Sequence, residues 1–145
     1  MTIPVQTLAK FIIQNSDRVS NLKLQKLLYY VQGWHLALKG EPIFTAEIQA
    51  WVHGPVTPEV FHLYKHFRWN PIEKPTEDLA MPASIASHTK LVLDAYGKYA
   101  ASQLEALSHS ESPWIDARMG LSPNAPSNAV ISHQAMRVYF ASKHG

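Results

Sequence analysis

From Asn21 to Gly40 the apolar positions fall in a helical rhythm: Leu24, Leu27, Leu28, Val31 and His35 share one stripe, and Trp34 and Leu38 extend it. The stripe is wider than one packing partner requires, which predicts a central helix contacted from at least two sides. Ser20 or Asn21 supplies its N-terminal cap, while Lys39 and Gly40 supply a cation in the last turn and a left-handed stop. The polar side is thin: Lys23, Gln25, Lys26 and Gln32, interleaved with Tyr29 and Tyr30. Gly33 falls mid-helix, where glycine costs about 1 kcal/mol relative to alanine, so another element is expected to pack closely against the backbone there. Two readings follow: a tightly packed core helix, or a core helix whose Lys23, Lys26 and Tyr30 also form a recognition face.

Most of the remaining pattern is helical too. Thr2 and Pro4 open a first helix with Val5, Leu8, Ala9, Ile12 and Ile13 on one face, ended by Asn15-Ser16-Asp17. The short link to the central helix predicts antiparallel neighbours. Glu47 to His53 is ambiguous: Ile48, Ala50 and Val52 alternate as in a strand, whereas Thr45 and the Ala, Glu and Gln content favour a helical turn. His53-Gly54-Pro55 breaks whatever precedes it. Thr57-Pro58-Glu59 starts a helix carrying Val60, Phe61, Tyr64 and Phe67 inward and Lys65 outward. Arg68 to about Pro82, containing Asn70-Pro71, Lys74-Pro75 and Met81-Pro82, reads as an exposed loop.

A further helix from Ser84 or Ser87 to Tyr99 is expected to bury Leu91, Val92, Ala95, Tyr96 and Tyr99. Ser102-Gln103-Leu104-Glu105 has the form of a capping box. Ser112-Pro113-Trp114 caps and starts a helix from Trp114 to Arg118, and Gly120 stops it. Ser132 caps a last helix with Met136, Tyr139 and Phe140 inward. The expected fold is mainly α: a compact single-domain bundle of about six helices over residues 1–145, with one short β segment near Glu47–His53 left open.

Composition narrows the function classes. The chain has 145 residues, 46% of them hydrophobic and 17% charged, enough for one domain with a real core. A net charge of +2 is too slight to point to nucleic acid, and Lys and Arg do not cluster on a later helix that would enter a groove. There is no cysteine, hence no disulfide framework and no thiolate chemistry. No apolar run reaches the roughly 18 residues of a membrane span, and the start does not resemble a signal peptide, so a soluble cytoplasmic protein is expected. Among eight histidines only His62 and His66 have helical ligand spacing; Leu63 stands where a zinc protease needs Glu, and no third ligand is suggested. His109-Ser110-Glu111 offers an acid/base pair without a nucleophile context. No catalytic residue, cofactor or metal is assigned.

Three segments in order, Leu22 to His35, Ile48 to Phe61 and Ser108 to Trp114, resemble the Panacea domain, the family of SocA-type antitoxins and phage-associated GepA-like proteins. The resemblance runs from about Val5 to Tyr139. Its third motif is usually Thr-His-x-Glu-x-Pro-Trp, and Ser108 here keeps the hydroxyl of the replaced threonine. It implies a non-enzymatic antitoxin that neutralises a protein toxin, encoded by an adjacent gene, through direct contact. A second implied role is a phage or prophage interaction module, or an adaptor delivering a partner to a Clp-type protease. A small hydrolase using His109 and Glu111 is the third reading, from a different class.

Among the motif residues, Gln25, Trp34, Trp51, Gly54, Pro55, Pro58, His109, Glu111, Pro113 and Trp114 are expected to be structural: bulky anchors, a sharp turn and helix starts. His109 and Glu111 are expected to satisfy amides at the helix start, or to bond His53 or Lys26. Partner binding is expected on Arg68 and Trp69, since exposed Trp and Arg favour interfaces, with the Lys23, Lys26 and Tyr30 face second.

Overall fold

The computed structural model of the chain describes residues 2–144. Helices α1 (Val5–Gln14), α2 (Asn21–Lys39), α3 (Pro58–Tyr64), α4 (Ala83–Tyr96), α5 (Ala101–His109), α6 (Ser112–Ala117) and α7 (His133–His144) are joined by a two-stranded hairpin of β1 (Gln49–Trp51) and β2 (Gly54–Val56). A 3₁₀ turn, Lys65–Phe67, follows α3. The architecture is mainly α, as the pattern predicts.

Helix α2 is the axis of the molecule. Ser20 Oγ accepts the Lys23 amide at 3.2 Å, and Gly40 closes the helix at φ 78° with its amide on Leu36 O. Every residue from Leu24 to Gly33 is buried. Helix α7 packs most extensively on it, and α1, α3, α4, α5 and β2 enclose the rest. The anticipated close approach at Gly33 is made by α7: a Cβ there would overlap the Phe140 ring. The stripe is shorter than its spacing suggests, because Leu38 is exposed and Trp34 only half-buried.

On α1, Val5, Leu8, Ala9, Ile12 and Ile13 are all buried. Pro4 is itself the N-cap, without a side-chain bond, so Thr2 does not cap the helix. The ambiguous Glu47–His53 segment holds a three-residue strand, Gln49–Trp51, and no helical turn. Gln49, Ala50 and Trp51 pair antiparallel with Val56, Pro55 and Gly54. On its other edge β1 is covered by the 129–131 loop, with the Ala50 amide on Ala129 O and the Ile131 amide on Ile48 O, both 2.8 Å. Tertiary pairing on both edges overrides the helical leaning of Ala, Glu and Gln.

Helix α4 is turned relative to expectation. Its buried face is Ile85, His88, Thr89, Val92 and Leu93, whereas Leu91 and Ala95 are exposed and Tyr99 lies beyond the helix end. Two polar side chains permit this by satisfying themselves on backbone: His88 Nε2 bonds Val31 O at 2.9 Å, and Thr89 Oγ1 donates to Ile85 O at 2.8 Å. Only the reverse half of a capping box forms at α5, two residues early, where Gln103 Oε1 accepts the Ala100 amide. Helix α6 begins at Ser112 with Glu111 at its N-cap position, so Ser112 is not the cap. Thr57 sits at the N-cap of α3, yet its hydroxyl makes no capping bond. Ser132 does cap α7, accepting the Ala135 amide at 3.0 Å.

The Gly33–Phe140 contact yields a double-mutant test. Gly33→Ala should destabilise the protein by about 1–3 kcal/mol through overpacking, outweighing the gain in helix propensity. In a Phe140→Ala background the same change should stabilise by about 1 kcal/mol. Denaturant unfolding of the four proteins reads the change of sign.

Candidate functional site

Asn21, Gln25, Lys26 and Gln32 of α2 turn inward, each bonding the backbone of another segment. Gln25 Oε1 accepts the Thr57 amide at 2.9 Å, and its Nε2 donates to Asn21 Oδ1 at 2.8 Å. Asn21 Nδ2 in turn donates to Phe61 O. Gln32 Oε1 accepts the Ile43 amide at 2.8 Å while its Nε2 donates to Phe44 O at 2.8 Å. Lys26, fully buried, donates to Pro55 O at 3.1 Å. Burial pushes its ammonium down to about 7 against the ordinary 10.5, partly offset by the Glu105 carboxylate. Gly54 is the counterpart: at φ 101° it takes a conformation that disfavours side chains, and a Cβ would meet Lys26 Cε at 2.7 Å and Ser108 Oγ at 2.9 Å.

Glu111 forms the second polar centre. Its Oε1 accepts Tyr29 OH at 2.9 Å and Tyr30 OH at 3.2 Å. Burial raises the carboxyl to about 7, with the two tyrosine hydrogen bonds and the Lys143 charge pulling the other way. His109 does not pair with it. The imidazole stacks on Trp114 at 4.1 Å, and Nε2 is buried without a hydrogen-bond partner. Neither residue bonds His53 or Lys26; His53 reaches Glu105 instead, at 3.3 Å. Trp114 Nε1 donates to Trp51 O at 2.7 Å, tying α6 to the hairpin. Trp51 packs edge-on against Phe61, and Pro113 is buried in the first turn of α6.

Gln25, Gly54, Pro55, Glu111, Pro113 and Trp114 thus meet around α2 and the hairpin as buried parts of one framework. Trp34, Trp51, Pro58 and His109 are half-buried at its margin. The Lys23, Lys26 and Tyr30 recognition face is not an open face. Lys26 and Tyr30 have no exposure, and Lys23 is half-buried with Nζ on Gly97 O at 2.6 Å. Helical spacing placed them on the polar side, but a helix enclosed all round has no such side. Arg68 and Trp69 lie apart from this framework, after the 3₁₀ turn; Trp69 is 80% exposed. His62 and His66 are both exposed.

Sequence reasoning missed Arg118 and the aromatic wall beside Glu111. Arg118, buried, donates to Ala50 O, Ser122 O and Ala125 O and lies 4.6 Å from the Trp114 ring centre, pinning the 121–131 loop. Tyr96 stacks on Tyr30 at 4.1 Å and accepts Trp34 Nε1 at 2.9 Å. With Trp34, Tyr139, Phe140, Leu107, Ser110 and Lys143 it lines an open cleft of about 460 Å³ that reaches Glu111. Trp34 and Ser110 fall within motif segments and Tyr96, Tyr139 and Phe140 are expected from the sequence to face inward, but no local spacing shows that α2, α4, α5 and α7 bring them together around one cleft.

The motif residues thus lie inside a mainly helical domain or at the margin of its core. A family model described as the antitoxin SocA-like Panacea domain matches residues 24–115. The chain therefore belongs to the SocA-like Panacea family. It is similar to Antitoxin SocA of Caulobacter vibrioides, 36% identical over 109 residues. That alignment covers 66% of this chain and 58% of the relative, so the match spans less than two thirds of the relative's length. No solved structure matches the chain. Among the described residues, no helix is long and apolar enough to cross a membrane.

Buried Lys26 predicts an unusual pH dependence. Because folding lowers its pKa from 10.5 to about 7, the unfolded chain holds more protons than the native one between those values. Stability therefore rises with pH from 7 towards 10. Lys26→Met should remove that rise, a difference of roughly 5 °C or more in Tm between pH 7 and 10. Thermal melts of both proteins across the interval check it.

Proposed function

We propose that this protein is an antitoxin that neutralises a cognate protein toxin, encoded by an adjacent gene, through direct protein–protein contact. Family membership over residues 24–115 carries the reading. The internal placement of the signature residues supports it. Gln25, Gly54, Glu111 and Trp114 lie inside the fold, which leaves the exterior side chains free to meet a toxin. Arg68 and Trp69 are the proposed contact. Trp69 stands out from the Arg68–Pro82 loop with 80% exposure, the anchor type that dominates interface energetics.

Co-expression with the neighbouring gene tests this. The neighbour alone should arrest growth, and this protein should restore growth and co-elute with it. Trp69→Ala should weaken the complex by about 2 kcal/mol, roughly 30-fold, with an unchanged melting temperature. A harmless neighbour contradicts the antitoxin reading. Restored growth without a complex contradicts direct neutralisation and favours delivery to a Clp-type protease.

A further inference from the structure

The cleft beside Glu111 has features that the framework does not need. Four aromatic rings, Trp34, Tyr96, Tyr139 and Phe140, stand on its walls. Glu111, 3% exposed, contributes to the same lining. The polar partners of its carboxylate are two neutral phenols, Tyr29 and Tyr30. A desolvated carboxylate satisfied only by neutral donors keeps acceptor capacity for a cation, and aromatic faces attract the same charge. The surroundings already hold one ammonium in this manner: Lys143 Nζ lies 5.4 Å from the Tyr139 ring centre at the rim.

We infer that this cleft is a receptor for an arginine side chain of the partner protein, with the guanidinium stacked among the aromatic rings and paired with Glu111. The inference rests on the partner-binding reading above and adds a chemical class of contact to it. Arginine fits better than lysine, because a planar, weakly hydrated guanidinium stacks on rings and bonds a carboxylate with two parallel N–H groups. A protein partner fits better than a free small cation. The cleft shares Trp34 and Tyr96 with a shallow apolar groove lined by Leu38, Leu91, Val92 and Ala95. Leu91 is 69% and Leu38 46% exposed there, a surface for the apolar residues that flank an arginine in a chain.

The test needs no toxin, so its failure is separate from failure of the antitoxin reading. N-acetyl-arginine methylamide is titrated into the protein above pH 7, where Glu111 is ionised, with the neutral isostere N-acetyl-citrulline methylamide as control. The Trp34 indole N–H, bonded to Tyr96 OH, is the NMR reporter. The arginine compound should shift it saturably and the citrulline compound should not. Glu111→Gln, which keeps an acceptor for both tyrosines, should weaken binding at least about tenfold. Lys143→Ala, at the rim, should strengthen it severalfold by removing a like charge. Melting curves show that each variant is folded. Equal shifts from citrulline, no saturable shift from arginine, or full affinity in folded Glu111→Gln would each overturn the assignment. So that a protein source is distinguished from a free cation, the acetylated dipeptide arginyl-leucine amide is compared with the arginine compound. Tighter binding of the dipeptide, lost in Leu91→Asp, supports a protein partner; equal binding of the two contradicts it.

Discussion

A helix walled in on every side has to dispose of its polar side chains inside the protein, and α2 does so by making them the hydrogen-bond partners of other segments' backbone. The turn at Ile43–Phe44, the Thr57 amide and the Pro55 carbonyl on the edge of β2 facing α2 are buried and have no strand partner to satisfy them. Gln32, Lys26 and Gln25 supply the missing donors and acceptors. Each bond is worth only about 0.5–1.5 kcal/mol net, yet leaving its buried partner unmade costs about 1–3 kcal/mol. Three side chains of one helix therefore anchor the two ends of the stretch from Ile43 to Thr57. The Gly54 turn depends on the same arrangement, because the Lys26 stem occupies the space a side chain would fill.

The set of motif positions serves the same economy. Its residues join distant parts of the chain: Glu111 with Tyr29 and Tyr30, Trp114 with Trp51, Gln25 with Thr57. They fix a shape and leave most of the surface unspecified. In a domain proposed to meet a toxin, that division separates the demands of folding from those of recognition. The Glu111 centre is the place where the two touch, since its carboxylate is both a strut for α2 and part of an open aromatic cleft.

Much of the fold was legible in the chain. The apolar faces of α1 and α7, the caps Ser20, Gly40 and Ser132, and the close packing at Gly33 all follow from local spacing and residue chemistry. What was not legible depended on tertiary partners. Lys26 and Tyr30 looked like surface residues because spacing assigns polar groups to the outside, and nothing local announces a carbonyl at Pro55 or a carboxylate at Glu111. Helix α4 was rotated in the reading because His88 and Thr89 bury themselves against backbone while Leu91 does not. The β1 segment was undecidable locally, since its pairing partners lie in β2 and in the 129–131 loop. Of the candidate site residues, the burial of bulky motif positions such as Trp114 follows from their type; the aromatic cleft was not legible, because four helices build it.

Amide hydrogen exchange of the free protein tests the dependence on α2 most directly. The amides of Ile43 and Thr57 sit outside regular ladders, yet their acceptors are the buried oxygens of Gln32 and Gln25. They should exchange only through global unfolding, as slowly as the amides of α2 itself. Exchange at the rate of the exposed Arg68–Pro82 loop would mean that these brackets open freely, and that α2 does not hold the chain around it.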